Sequence, residues 1–130
     1  MKNVMLVGDE PMLIDMETIS TGQPIFDLQA LYVTYISFSE DCPDNLSSFL
    51  GISDDLGEPI WNSILEKYFD TADKAELSAI NDKIRLMSAI RFLYLLAVTD
   101  LKNGDLGERR IKRTQDHISE LLKKVNGFEI

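Results

Sequence analysis

The chain has almost none of the side chains that build redox or soft-metal sites. Its 130 residues contain one cysteine, Cys42, and one histidine, His117. A single thiol excludes an internal disulfide and every cysteine-cluster metal site. Cys42 has no basic neighbour in sequence to lower its pKa, so it reads as inert. His117 sits mid-helix among polar residues without a sequence-near ligand partner, so neither catalysis nor metal binding is assigned to it. Excess positive charge is also missing. Thirteen Lys and Arg against 22 Asp and Glu leave a net charge of −9, which argues against a nucleic-acid surface or attachment to anionic lipid. The longest strongly apolar stretch, Phe92–Val98, is far short of the about 20 residues that cross a bilayer. The first residues lack the charged-then-apolar layout of a signal peptide. The expectation is a cytoplasmic chain with no nucleic-acid or membrane partner. Repeats, low-complexity segments and dividing linkers are absent too, so residues 1–130 are expected to form a single domain.

Hydrophobic residues make up 45% of the sequence, the ordinary share for a chain with a packed core. The most informative stretch comes first. Two short apolar runs, Val4–Val7 and Met12–Ile14, flank the polar turn Gly8-Asp9-Glu10-Pro11. This predicts a β-hairpin with a four-residue loop and with Pro11 at the start of the second strand, where a missing N–H is tolerated. Pairing Val7 with Met12 then sets Val4 opposite Asp15 and leaves Asn3 and Asp15 side by side at the open end, about 5 Å apart. One amide oxygen and one carboxylate held that close suit a hard divalent cation such as Mg²⁺. The plain alternative is a polar hairpin end that binds nothing.

The same segment carries a family resemblance. Asn3, a strand, a turn, a second strand and then Leu13-Ile14-Asp15-Met16-Glu17 resemble the metal-binding segment of protein kinases and of the small-molecule kinases of the aminoglycoside phosphotransferase and choline kinase type. Ile-Asp-(apolar)-Glu is similar to the form of that small-molecule branch. Gly22-Gln23-Pro24-Ile25-Phe26-Asp27-Leu28 resembles its Gly-x-Pro-x-x-Asp-Leu, which opens the following helix. The likeness is sharp over residues 3–28 and general beyond them.

The resemblance implies that Asn3 and Asp15 hold Mg²⁺ on the phosphates of ATP in the complete architecture. It implies that Glu17 reaches the metal through a water or holds a substrate hydroxyl, and it implies that Asp27 braces the catalytic loop; complementing the helix dipole is the simpler role for Asp27. The family's catalytic Asp stands in His-x-Asp-x-x-x-x-Asn, five residues before the Asn, and would precede Met1. So would the Gly-rich loop, the phosphate-pairing Lys and the nucleotide lobe. The expectation is a fragment or remnant of an ATP-dependent small-molecule phosphotransferase, inactive alone and binding neither Mg²⁺ nor ATP tightly. Tyr32, Tyr35 and the acidic loop Glu40–Asp44 are the candidates for the acceptor face. A non-catalytic helical module that self-associates, forming a homodimer through surface left exposed by a missing lobe, is the alternative.

From residue 24 onward the periodicity is helical. Ile25, Leu28, Leu31, Tyr32, Tyr35 and Ile36 predict a helix over Pro24–Phe38, and Asn45–Leu50 a single turn closed by Gly51. A third helix is expected over Glu58–Phe69, with Trp61 as a core anchor rather than a ligand platform. A fourth, capped by Thr71, runs to about Thr99. Between Leu86 and Val98 apolar residues cover most of its circumference, which predicts the most buried helix; Arg85 and Arg91 on its polar side are expected to pair with acids. The last helix is expected over Glu108–Val125, with Ile111, Ile118, Leu121, Leu122 and Val125 inward. Its basic run Arg109, Arg110, Lys112, Arg113 reads as a solvated face or a dock for an acidic partner. The fold class is α+β, mostly α: a hairpin that must pack on the helices, followed by four main helices.

Overall fold

A two-residue turn sets the first element. Gly8, at φ 66°, takes the first central position of a tight hairpin turn, where positive φ is required and only glycine enters freely. Strands β1 (Val4–Val7) and β2 (Glu10–Leu13) pair antiparallel as Val4–Leu13, Met5–Met12, Leu6–Pro11 and Val7–Glu10. The computed structural model describes residues 4–14 and 21–130.

This register corrects the predicted one by two positions. The loop has two residues instead of four, Val4 faces Leu13 rather than Asp15, and Pro11 lies inside β2, so the Val7–Met12 pairing from which Asn3 and Asp15 are expected side by side does not form. Pro11 is tolerated there because its partner Leu6 occupies a non-hydrogen-bonded pair, so the ladder loses no donor. The expected packing of the hairpin on the helices is also corrected. Both faces of the ribbon are open, with Leu6 72% and Leu13 65% exposed and Met5, Val7 and Met12 about half exposed.

The described residues after the ribbon are helical. Helix α1 (Ile25–Tyr32) opens after Pro24, whose missing N–H costs nothing at a helix start. It continues into a wider π-turn over Val33–Ser37, in which the Phe38 N–H reaches back five residues to the Val33 carbonyl at 3.3 Å. The short α2 (Asn45–Leu50) ends at Gly51, φ 70°, as its sequence predicts. A 3₁₀ turn at Asp54–Leu56 leads into α3 (Gly57–Phe69). Helix α4 (Lys74–Val98) is capped by Asp73, not Thr71. The Asp73 carboxylate accepts from the N–H groups of Ala75 and Glu76, while the Thr71 hydroxyl accepts from the Asp73 N–H and donates to Glu76. Helix α5 (Gly104–Leu121) begins and ends four residues earlier than predicted. Gly104, at φ 69°, turns the chain at the first position of the helix.

Twenty-five residues of α4 span about 37 Å, long enough to touch two apolar clusters. Ile84 belongs to the first, with Ile25, Leu28, Tyr32, Trp61 and Leu65 from α1 and α3. Phe92 and Leu96 belong to the second, with Val33; Phe38 and Ile111 pack against them. Each fully buried Phe or Leu contributes roughly 2 kcal/mol of transfer free energy. The far side of α4 is less buried than its composition suggests: Ile90, Tyr94 and Val98 are 44–64% exposed. On α5, Leu121 is buried as expected, whereas Leu122 faces solvent. No described helix is long and apolar enough to cross a membrane.

Asp54 joins two of these elements. Its carboxylate, seven residues downstream, accepts from the Ser47 N–H at 3.0 Å and the Ser47 hydroxyl at 2.6 Å, capping the start of α2 from outside. Those bonds hold the Asp54 carboxyl below its ordinary value. A depressed folded pKa means the stabilisation is present above the unfolded value and lost as pH falls through the folded one. Asp54→Asn is therefore expected to lower the melting temperature at neutral pH, with the gap to the native chain closing as pH falls below the ordinary carboxylate range of about 4. A gap that stays constant over that range would refute the assignment.

Candidate binding cleft

One of several concave surfaces among the described residues is built where α1, α3 and α4 meet. Tyr32 and Ile36, from α1 and the π-turn, line it with Glu40, with Glu58, Trp61 and Asn62 from α3, and with Asn81 and Arg85 from α4. It is an open cleft of about 420 Å³. A narrow crevice of about 10 Å³, room for little more than one water, shares Tyr32, Glu40 and Arg85 with it and is bordered by Arg113 and His117 of α5.

Packing fixes the cleft floor. Trp61 is 3% exposed and meets Tyr32 edge to face, with centroids 5.1 Å apart. Its indole N–H donates to Asn81 Oδ1 at 3.0 Å, which orients the Asn81 amide so that its –NH₂ is left for the cleft. Trp61 is thus the core anchor its sequence predicts, and its ring face is not offered to a ligand. Burial pushes the Tyr32 hydroxyl above its ordinary value, with the Arg85 guanidinium opposing the shift and the Glu40 carboxylate adding to it. Tyr32 therefore presents a neutral phenol at physiological pH. Arg85 pairs with Asp82 one turn away, at 3.2 Å, as expected; Arg91 is exposed and has no ion pair among the described residues. Phenol, guanidinium and amide donors beside the Glu58 and Asn62 acceptors form a surface for a small polar molecule, and the volume lies within the range of ligand sites.

The sequence-derived candidates separate. Of the proposed acceptor face, Tyr32 and Glu40 reach the cleft. Tyr35 does not: it is 6% exposed and turned into the core. The acidic loop is largely occupied by the chain's own cations. Arg113 holds Glu40 at 2.9 Å and also pairs with Asp41, while Arg110 lies 3.6 Å from Asp41 and its Nη2 donates to Cys42 Sγ at 3.1 Å. This corrects the reading of the basic run as one solvated face. Arg109 and Lys112 face outward, but Arg110 is 6% exposed and Arg113 half-buried. Spacing carries the signal: Arg110, Arg113 and Thr114 fall at i, i+3 and i+4, on the same stripe as buried Gly107 and Leu121. Cys42, without a basic neighbour in sequence, has one in space.

Asp27 is exposed in the first turn of α1. No described backbone N–H reaches its carboxylate, so its visible role is toward the helix dipole. Asn3, Asp15 and Glu17, on which the metal reading rests, lie outside the described residues. Among the described residues no group of three or more His, Cys, Asp or Glu is placed to hold a metal ion. Compared with protein-family models, curated proteins and solved structures, the chain matches none.

Proposed function

We propose that this chain is the metal-ribbon and acceptor-binding helical lobe of an ATP-dependent small-molecule phosphotransferase of the aminoglycoside phosphotransferase and choline kinase kind. The observation that carries the reading is the order of two linked motifs on their elements. Asn3 and Ile14-Asp15-Met16-Glu17 flank a β-ribbon, and Gly22-Gln23-Pro24-Ile25-Phe26-Asp27-Leu28 opens α1, with Pro24 at the helix start and Asp27 in its first turn.

In this reading Asn3 and Asp15 hold Mg²⁺, and Glu17 stands behind them or holds a substrate hydroxyl. An amide oxygen and a carboxylate are hard donors of the kind Mg²⁺ takes, and two of them retain it only when phosphate oxygens complete its shell. Bound there, the ion neutralises charge on the phosphates. The helical lobe supplies the acceptor cleft, where Tyr32, Arg85 and Asn81 donate and Glu58 and Asn62 accept.

Titration with Mn²⁺ and ATP, followed by amide NMR, tests the site. Paramagnetic broadening is expected at Asn3, Asp15 and Glu17 and is lost in Asp15→Asn. Broadening spread over the acidic surface, with none concentrated at those three residues, would remove the metal assignment. The second reading, a helical assembly module, is favoured by one observation of its own: the apolar ribbon that the helices leave uncovered.

A further inference from the structure

We infer that the outer edge of β1 is a self-pairing site, through which two copies of this chain join their ribbons into one four-stranded antiparallel sheet. The inference is independent of the phosphotransferase reading.

It starts from Pro11. Proline has no N–H to give Leu6, so the Leu6–Pro11 pair is of the non-hydrogen-bonded kind. Alternation along the ladder makes Val7–Glu10 and Met5–Met12 the bonded pairs and Val4–Leu13 another non-bonded one. The backbone groups of Val4 and Leu6 therefore point away from β2, as do those of Pro11 and Leu13. The two edges differ. On the β2 edge Pro11 removes a donor, the device by which natural sheets close an edge. On the β1 edge Val4 and Leu6 keep both donors and both acceptors. Among the described residues no third strand pairs with either edge.

The open edge is complementary to itself. A two-fold axis through Met5 sets Val4 against Leu6 of the second copy and Leu6 against its Val4. Both pairs then exchange N–H···O=C bonds, and Met5 meets its own counterpart. Val4 and Leu6 share a ribbon face with Pro11 and Leu13, so the seam continues one apolar face across both copies.

Charge and area set the strength of the contact. The acidic tips, Asp9 and Glu10, point in opposite directions, with the two Asp9 residues about 20 Å apart along the sheet, beyond the roughly 8 Å screening length of physiological salt. Each copy nevertheless carries −9, so the pair repels at low ionic strength and salt tightens it. An edge contact this short buries on the order of 600 Å² in total, below the about 1,200 Å² of a standard interface. The dimer is accordingly weak and concentration-dependent.

Sedimentation equilibrium of the full chain from about 10 to about 500 µM, the range in which so small a contact associates, is the test. The average mass is expected to climb toward twice 14.8 kDa, and to climb further when salt is raised. Leu6→Pro places a second donor-less residue opposite Pro11, at a position where the hairpin loses no bond, and is expected to remain monomeric with unchanged helical circular dichroism. Pro11→Ala opens the second edge and is expected to carry assembly past the dimer. Amide exchange supplies a readout that needs no variant: protection of Leu6 rises with concentration and that of Leu13 does not. A native chain monomeric at the highest concentration overturns the inference. So does a dimer that weakens with salt, a Leu6→Pro chain that dimerises like the native one, or concentration-dependent protection at Leu13 instead of Leu6.

Discussion

Asp41→Ala is expected to destabilise the chain by about 3 kcal/mol, the lower end of what removing one partner of a buried ion pair costs. The Asp41 side chain is 15% exposed and that of Arg110 only 8%. Removing the carboxylate leaves the Arg110 guanidinium in the interior with Cys42 Sγ as its remaining polar contact, while Arg113 keeps Glu40. Desolvation of the orphaned cation, more than the lost attraction, supplies the effect. For a chain of this size the melting temperature falls by roughly 10 °C. Urea unfolding followed by circular dichroism measures it. Lys112→Ala is the comparison: its pair with Asp116, 2.6 Å long, is 78% and 64% exposed, and such pairs contribute about 0.5 kcal/mol or less. Similar losses for the two variants would show that solvent screens the inner pair as fully as the outer one.

Gly107→Ala is expected to cost as much or more, although alanine is the better helix former by about 1 kcal/mol. Gly107 is in the first turns of α5, against the 3₁₀ turn at Asp100–Lys102. A Cβ built on it falls inside the contact radius of the Lys102 carbonyl. The obstacle is backbone, which cannot swing aside as a side-chain tip does, so overpacking of about 3 kcal/mol outweighs the propensity gain. At Gly57 the added Cβ would meet Leu46 Cδ1 at 2.9 Å and the Tyr35 carbonyl at 3.0 Å. Part of that crowding is relieved by rotating Leu46, and Gly57→Ala is expected to cost about 1 kcal/mol. Thermal unfolding of both variants checks the ordering; a Gly107→Ala chain as stable as the native one would mean that α5 does not seat on that turn.

What the sequence disclosed followed from local chemistry. Helical periodicity gives α1, α3 and α4 to within a few residues, Gly51 gives the stop of α2, and Trp61 among core-spaced neighbours gives its anchor role. The losses came where two solutions had nearly equal local merit. Gly8-Asp9 and Gly8–Pro11 both close a hairpin, and only the positive φ at Gly8 with a bonded Val7–Glu10 pair decides between them. The cap of α4 is expected at Thr71 and lies two residues later, at Asp73. Long-range partners were beyond reach: nothing near Cys42 in sequence announces Arg110, 68 residues away, and nothing near Ser47 announces that Asp54 caps its helix. Of the cleft, Tyr32 and Glu40 were anticipated. Glu58, Asn62, Asn81 and Arg85 were not, because each alone reads as a solvated helix position.

The wide turn at Val33–Ser37 has a consequence for everything that follows it. One extra residue per turn advances the downstream chain by about 100° relative to an unbroken α-helix. Ser37 and the loop through Glu40 and Asp41 leave α1 on the bearing set by that surplus residue, and on that bearing the two carboxylates meet Arg110 and Arg113. Excising a single residue there would restore ideal winding and swing the acids away from their cations. The segment behaves as an angular adjustment between two halves of the fold, and its irregularity is what brings the charges into alignment.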